Sequence, residues 1–446
     1  MGGLSSDATD RIEIGDFVSR SVTWRTLILC GLAVLAEGYD IGIMGAVILA
    51  LKDDPVWQLD PFQLGLLSSA ALAGMLIGAL LIGTLADRYS RRTLIAACVA
   101  IFSLSMIWGA IAPTPIWFGL SRLFGGLGMG GVIPLAAAFT VEYSPIRNRA
   151  RNYGLMYCGY SLGILSVALL AIGILPVQGW RMLFWLGGVP LLLTPLLWRL
   201  MPESFDNLVG RGKVEEARTL AQGFSIDADT SRRLIAAAQY RPVEHRAGPY
   251  ETIGALFAPE HLRATLCFWL SLAIGLLLVY GLSSWLPTLM RQQGYALGSS
   301  LGFLAVFSLC SAAGGIGGGL LADRFGNGRV IAVSFLVAAG AVIGLSLVND
   351  LVVNYILVGL AGYGTVSTTL ILTAYATSWY PPRIRSTAVG WGLGVGRIGA
   401  ICGPLLGGLL LRATGGSVVY SFWAFATLAV VAAAVVLLIP ARREPA

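Results

Sequence analysis

The sequence predicts an all-helical membrane protein made of two six-helix halves. Three observations carry this. First, 56% of the 446 residues are hydrophobic and only 12% are charged, whereas soluble proteins carry about 25% charged residues. Second, apolar runs of about 20 residues, each long enough to cross a bilayer core as a helix, follow one another almost without pause. Third, the turn Gly83-Thr84-Leu85-Ala86-Asp87-Arg88 returns as Gly319-Leu320-Leu321-Ala322-Asp323-Arg324, 236 residues later. Pro145, Arg147, Arg149 and Gly154 return at the same offset as Pro381, Arg383, Arg385 and Gly390. Two matches at one offset mark an internal repeat. Backbone groups in lipid must be satisfied within the chain, so the spans are helices. Outer-membrane barrels are excluded because their strands are short and alternating.

Taken in order, residues 1–23 form an N-terminal segment with no signal-peptide pattern, so the first apolar run is expected to remain as a helix. Spans are predicted at 24–50, 62–85, 92–112, 116–142, 151–174 and 180–200. A polar link follows at 201–262. Six more spans are predicted at 263–290, 298–322, 328–348, 351–378, 386–411 and 416–440, leaving a tail at 441–446. The two bundles are thus 24–200 and 263–440. In the link, Lys213-Val214-Glu215-Glu216-Ala217-Arg218 reads as an amphipathic, solvated tether on the membrane surface.

Orientation follows from Lys and Arg in the short loops. One side holds Arg88, Arg91, Arg92, Arg147, Arg149, Arg151, Arg324, Arg329, Arg383 and Arg385; the other holds Lys52, Arg181, Arg291 and Arg412. Ten against four places the first set, both termini and the link in the cytoplasm. The net charge of +7 is therefore a topology signal, and no nucleic-acid partner is expected. The six cysteines lie in apolar runs without metal-type spacing, and no metal site is expected. Gly125-Gly126-Leu127-Gly128-Met129-Gly130-Gly131 follows no strand, so it reads as helix packing rather than a dinucleotide loop. Gly392, Gly394, Gly396 and Gly399 read the same way. No GxxxxGK[ST] loop is present, which removes ATP-driven mechanisms.

Ionisable residues at membrane depth are functional candidates by default. They are Glu37, Asp40, Arg122, Glu142 and Arg397. At 1.5 Å per residue, Glu37, Asp40 and Arg122 share a level about 20–24 Å above the arginine-rich face, and Arg397 lies about 16 Å up. An acid of the first helix is expected to pair with Arg122, either as a switch that responds to protonation or as a static bridge. Arg397 has no acid at its level in its own half. It needs an anion, supplied either by a substrate carboxylate held in bidentate fashion or by Glu37 or Asp40 across a cavity. Both histidines, His245 and His261, fall in the link region, which leaves carboxylates as proton carriers. Glu142 is expected to form a salt bridge with the Arg91/Arg92 and Arg147/Arg149 loops that closes a cytoplasmic gate. Asp87 with Arg88, and Asp323 with Arg324, are gating candidates in the repeated turns. Tyr39, Tyr157, Tyr160, Tyr280, Trp285, Tyr363, Tyr375 and Trp391 are aromatic candidates for a central site. Pro287 is expected to kink or break the seventh span.

The repeated Gly-x-Leu-Ala-Asp-Arg turn resembles the signature of the major facilitator superfamily. A narrower resemblance rests on Glu37-Gly38-Tyr39-Asp40, Met156-Tyr157-Cys158-Gly159, Leu256-Phe257-Ala258-Pro259-Glu260, Trp285-Leu286-Pro287-Thr288-Leu289 and Val395-Gly396-Arg397-Ile398-Gly399-Ala400. Together these resemble the aromatic acid:proton symporters. The resemblance implies alternating access around a midplane site and transport roles for Glu37, Asp40, Asp87, Arg122, Glu142, Asp323 and Arg397. Glu37 replaces the aspartate common in that family, as in its hydroxyphenylpropionate-type members. The expected protein imports a small aromatic carboxylate with protons across a bacterial inner membrane. It is not an enzyme, needs no cofactor beyond the proton gradient, and works as a monomer in the lipid bilayer. Proton-coupled export of small organic compounds and sugar- or vitamin-type carriage are the alternatives. Export is disfavoured by the absence of proline from 151–174, and a neutral sugar gives Arg397 no task.

Overall fold

The computed structural model describes residues 12–86, 88–239 and 249–440. Asp87 and His245 lie outside the described residues, as do residues 1–11 of the N-terminal segment, part of the link and the 441–446 tail. Twelve described helices are long and apolar enough to span a membrane. In the first half they are α1 (Arg20–Lys52), α2 (Pro61–Leu85), α3 (Arg91–Ile111), α4 (Pro115–Glu142), α5 (Arg149–Gln178) and α6 (Trp180–Leu200). In the second they are α7 (Pro259–Gln292), α8 (Leu297–Phe325), α9 (Asn327–Leu347), α10 (Leu351–Trp379), α11 (Pro382–Ala413) and α12 (Val418–Leu437).

The repeat extends to hydrogen bonds. Thr114 caps α4 through the Trp117 amide, and Asp350, at the repeat-equivalent position, caps α10 through the Val353 amide. Such caps satisfy donors that the first helical turn leaves free. The Arg149 Nε donates to the Ser144 carbonyl at 3.4 Å, and Arg385 Nε donates to the equivalent Tyr380 carbonyl at 3.5 Å.

The halves meet along α2–α11, α5–α8 and α1–α7. The bonds across this seam are concentrated away from the arginine-rich face. Ser69 Oγ donates to the Ile401 carbonyl at 2.7 Å, Ser308 Oγ donates to the Ser161 carbonyl at 2.6 Å, and Arg412 meets Asp60 at 3.6 Å. Sequence reading used Arg412 only to count charge, yet here it ties the end of α11 to the start of α2. On the same outer side, Asp54 accepts from the Val56 and Trp57 amides and the Trp180 indole. Burial pulls its carboxyl up, but these bonds and Arg181 offset that and hold it below the usual carboxylate range.

The link is not a solvated tether. Helices at Phe205–Gly210, Val214–Gly223 and Ala228–Gln239 bury Phe205, Leu208, Ala217, Ala221 and Leu234 in one cluster with Phe139 and Tyr143 of the first half. The amphipathic stretch keeps its charges outward in the Lys213–Glu216 and Arg218–Glu215 pairs, at 2.6 and 2.8 Å. Its Ala217 is what the protein buries. The Pro249–Leu256 helix belongs to the second half, where the Leu256 carbonyl accepts from Thr265 Oγ at 3.0 Å. Nor does Pro287 break α7, which runs through it to Gln292. The irregular points are a 3₁₀ turn at Val189–Leu192 in α6 and a π-helical turn at Tyr363–Ser367 in α10.

Candidate functional site

A cavity of about 620 Å³ lies between the halves. It reaches Ala150 at the start of α5 and Thr377 near the end of α10, and so opens toward the arginine-rich face. Its size is typical of a small-molecule site.

Arg397 stands in the cavity wall because of the glycines around it. On α11, Gly392, Gly396, Gly399 and Gly403 turn toward α7; a Cβ on Gly399 would strike the Ala273 carbonyl, and one on Gly403 the Leu277 carbonyl. Close packing on that face leaves Arg397 to project away from it. Gly394 is not part of the seam, since a Cβ there would meet nothing within 4 Å. Arg397 is half-buried and lines the cavity. Among the described residues its one hydrogen-bond contact is Nη1 to Met75 Sδ at 3.8 Å, and it has no carboxylate partner there. A cation in that setting can bind an anion that enters the cavity.

Aromatic rings lead to it. Tyr153, Tyr157 and Tyr160, on one face of α5, form a column with centroids 6.2 and 5.9 Å apart and planes within 17° and 23°. Tyr160 donates to the Tyr280 hydroxyl at 3.4 Å. Five other aromatic candidates lie outside the cavity wall. Tyr39 is buried and donates to the Leu183 carbonyl at 2.8 Å. Trp285 donates to the Pro404 carbonyl at 2.8 Å and packs α7 on α11. Tyr363 lies against Ser334, Gly314 and Gly318 in the π turn. Trp391 is exposed on the outside of the bundle, stacked on Trp269 at 6.1 Å. Tyr375 instead packs edge-on against Phe268 at 5.3 Å. Sequence type could not separate these from Tyr157, Tyr160 and Tyr280, because aromatics serve equally well as packing groups. Tyr153 and the threonines of α10 were missed. Their signal was spacing: 153, 157 and 160, and 369, 373 and 377, each fall on one helix face.

The acids of α1 lie behind this wall. Arg122 Nη1 bonds Asp40 Oδ1, and Nη2 donates to the Asp40 carbonyl at 3.1 Å. Met106 Sδ and the Phe184 ring complete the arginine's surroundings at 3.4 and 5.7 Å. Asp40 and Arg122 are 1% and 2% exposed, so water shields neither charge. Glu37 is fully buried, and neither of its carboxylate oxygens has a hydrogen-bond partner among the described residues. The charges of Arg397 and Asp40 both act on it. Two carboxyls three residues apart thus have different environments, the arrangement that separates acid–base roles. A void of about 10 Å³, room for about one water, touches Arg122, Ser284 and Tyr280. Tyr280 therefore borders both the void and the main cavity.

At the arginine-rich face, Glu142 does not bridge the halves. It meets Arg91 at 3.7 Å and accepts from Ser204 Oγ at 2.7 Å and the Asp206 amide at 3.1 Å. Arg92 meets Glu203 at 3.8 Å, and Glu203 also bonds Ser90. These bonds fasten the folded link under the first half, and they are formed while the cavity is open. Arg149 pairs with Glu13, and the Asp16 carboxylate accepts from the Ile146 amide at 2.9 Å. Arg88, Arg147 and Asp323 are exposed without an ion-pair partner among the described residues, and Arg324 lies over its neighbour Phe325 at 5.4 Å. No group of metal-ligating side chains occurs among the described residues.

The profile of the Major Facilitator Superfamily matches residues 29–374. This chain belongs to that superfamily. Among the relatives, a benzoate transport protein of Acinetobacter baylyi is 35% identical over 87% of this chain and 83% of its own. A gallate transporter of Pseudomonas putida is 33% identical over 90% and 89%. The 3-(3-hydroxy-phenyl)propionate transporter of Escherichia coli is 34% identical over 88% of both. A solved inward-open conformation of the xylose transporter XylE from E. coli shares the fold, with a TM-score of 0.76 over 94% of this chain and 96% of that one, at 17% identity. This major facilitator protein falls in the aromatic acid branch that the motifs of α1, α5, α7 and α11 resemble. It is a multi-pass membrane transporter and not an enzyme.

Proposed function

We propose that this transporter imports a small aromatic carboxylate together with protons, by alternating access of its two halves. The observation that carries this reading is Arg397, a guanidinium with no carboxylate partner among the described residues, set in the wall of a cavity lined by tyrosines. The carboxylate docks on Arg397 as a bidentate pair, beside the Tyr280 hydroxyl. The ring lies against the tyrosines of α5. Protons are carried on α1, by Glu37 and Asp40. Protonation of Asp40 weakens its hold on Arg122, and Glu37 senses the occupied or empty state of Arg397. Named relatives that transport benzoate, gallate and 3-(3-hydroxy-phenyl)propionate support the substrate class. The loop arginines support a cytoplasmic opening, cytoplasmic termini and an inner-membrane location. One chain holds both halves, which suits a monomer.

The substrate claim is tested by equilibrium binding to the purified protein in detergent, with benzoate against benzamide. The two share a ring and a planar head, but only benzoate carries charge. Benzoate is expected to bind at least tenfold more tightly. Equal binding, or none by either, contradicts the role of Arg397.

A further inference from the structure

We infer that the cavity carries a subsite for a ring hydroxyl, formed by the threonines of α10 with Thr373 at its centre; the inference rests on the carboxylate reading above. Thr369, Thr373 and Thr377 all line the cavity. Each sits four residues from the next, on one helix face. Each hydroxyl donates its proton to the carbonyl four residues back: Thr369 to Thr365, Thr373 to Thr369 and Thr377 to Thr373, all at 2.9 Å. A hydroxyl has one donor and two acceptor lone pairs. With the donor spent inside the helix, each hydroxyl presents acceptor capacity to anything else it meets. This polar stripe therefore favours a hydrogen-bond donor on the ligand.

The three positions are not equivalent. Thr369 is 7% exposed, and its Oγ faces the Gly275 backbone of α7. Thr377 is exposed at the mouth, whereas Thr373 is half-buried between them. Counted at 1.5 Å per residue from the α10–α11 turn, Thr373 lies about 9 Å and Arg397 about 22 Å from the arginine-rich end. The difference of about 13 Å between Cα levels leaves room for both side chains and a hydroxyphenyl carboxylate between them. The Tyr153–Tyr157–Tyr160 column lines the cavity over the same stretch. A ligand with its carboxylate on Arg397 and its ring on the column points its far edge at Thr373. The substrate class this favours is a hydroxylated aromatic acid over an unsubstituted one. A site built to pair with a hydroxyl discriminates against analogues that lack it.

The test is equilibrium binding to the full chain in detergent, using benzoate and, at ring positions 3 and 4, the hydroxy and methoxy derivatives. A methoxy group accepts hydrogen bonds but cannot donate one. The better hydroxybenzoate is expected to bind at least tenfold more tightly than benzoate and than its methoxy counterpart. In Thr373→Val the hydroxybenzoate-to-benzoate affinity ratio should fall to about one, while Thr373→Ser should keep it. Measurable benzoate binding by the variants reports that they are folded. Equal binding of hydroxy and methoxy compounds, or a ratio that survives Thr373→Val, overturns the hydroxyl subsite and leaves the carboxylate reading standing. Failure of every compound to bind the unaltered protein overturns both.

Discussion

Arg122→Ala is expected to destabilise the protein by about 3–5 kcal/mol, the range for breaking a buried ion pair from one side. The arginine gives Asp40 its only ion pair among the described residues and also holds the Asp40 carbonyl. Without it, a carboxylate that is 1% exposed keeps the cost of leaving water and loses its compensation. Replacing both partners at once, as in Asp40→Asn with Arg122→Met, should restore most of that stability, because it leaves no uncompensated charge. Thermal unfolding in detergent at neutral pH checks both statements. Equal damage from the single and double replacements would show that Arg122 acts through packing against Met106 and Phe184 rather than through charge. The double variant is also expected to weaken coupling, since it leaves only Glu37 on α1 to carry a proton.

The second large effect concerns binding rather than stability. Arg397→Lys keeps the positive charge but loses the fork that grips a carboxylate with two parallel bonds. A hydrogen bond to a charged group contributes about 1.5–3 kcal/mol, and each 1.4 kcal/mol is about tenfold in affinity. Aromatic acid binding should therefore weaken by about 10–100-fold. Stability should change little, because Arg397 makes no ion pair among the described residues that its loss would break. Titration of both proteins with benzoate, alongside their unfolding temperatures, separates the two effects. Unchanged affinity in Arg397→Lys would show that the carboxylate binds elsewhere.

Much of the architecture was legible because its causes are local. Spans follow from hydropathy, and the two-half organisation follows from motifs repeated 236 residues apart, a repeat that reaches the Thr114 and Asp350 caps. Arg122, Asp40 and Arg397 stood out because charge at membrane depth needs a reason. What the sequence hid depends on long-range geometry. Nothing in the composition of the link says that Ala217 and Ala221 are buried beneath the first half. The aromatic candidates divide by which side of a helix meets the cavity, and that is set by neighbours such as Gly399 on Ala273 rather than by residue type. The place of Glu142 among loop arginines predicts its salt bridge to Arg91, which is present, but not its remaining contacts. Its partners include Ser204 and Asp206 of the link, 62 and 64 residues along the chain.

The most direct test of proton-coupled import is uptake of a labelled aromatic acid panel, including 4-hydroxybenzoate and benzoate, into proteoliposomes with and without an inward proton gradient. Accumulation above equilibrium is predicted only with the gradient, and it should be abolished when Glu37→Gln is combined with Asp40→Asn. Uptake that ignores the gradient, or that survives the loss of both acids, would contradict coupling through α1.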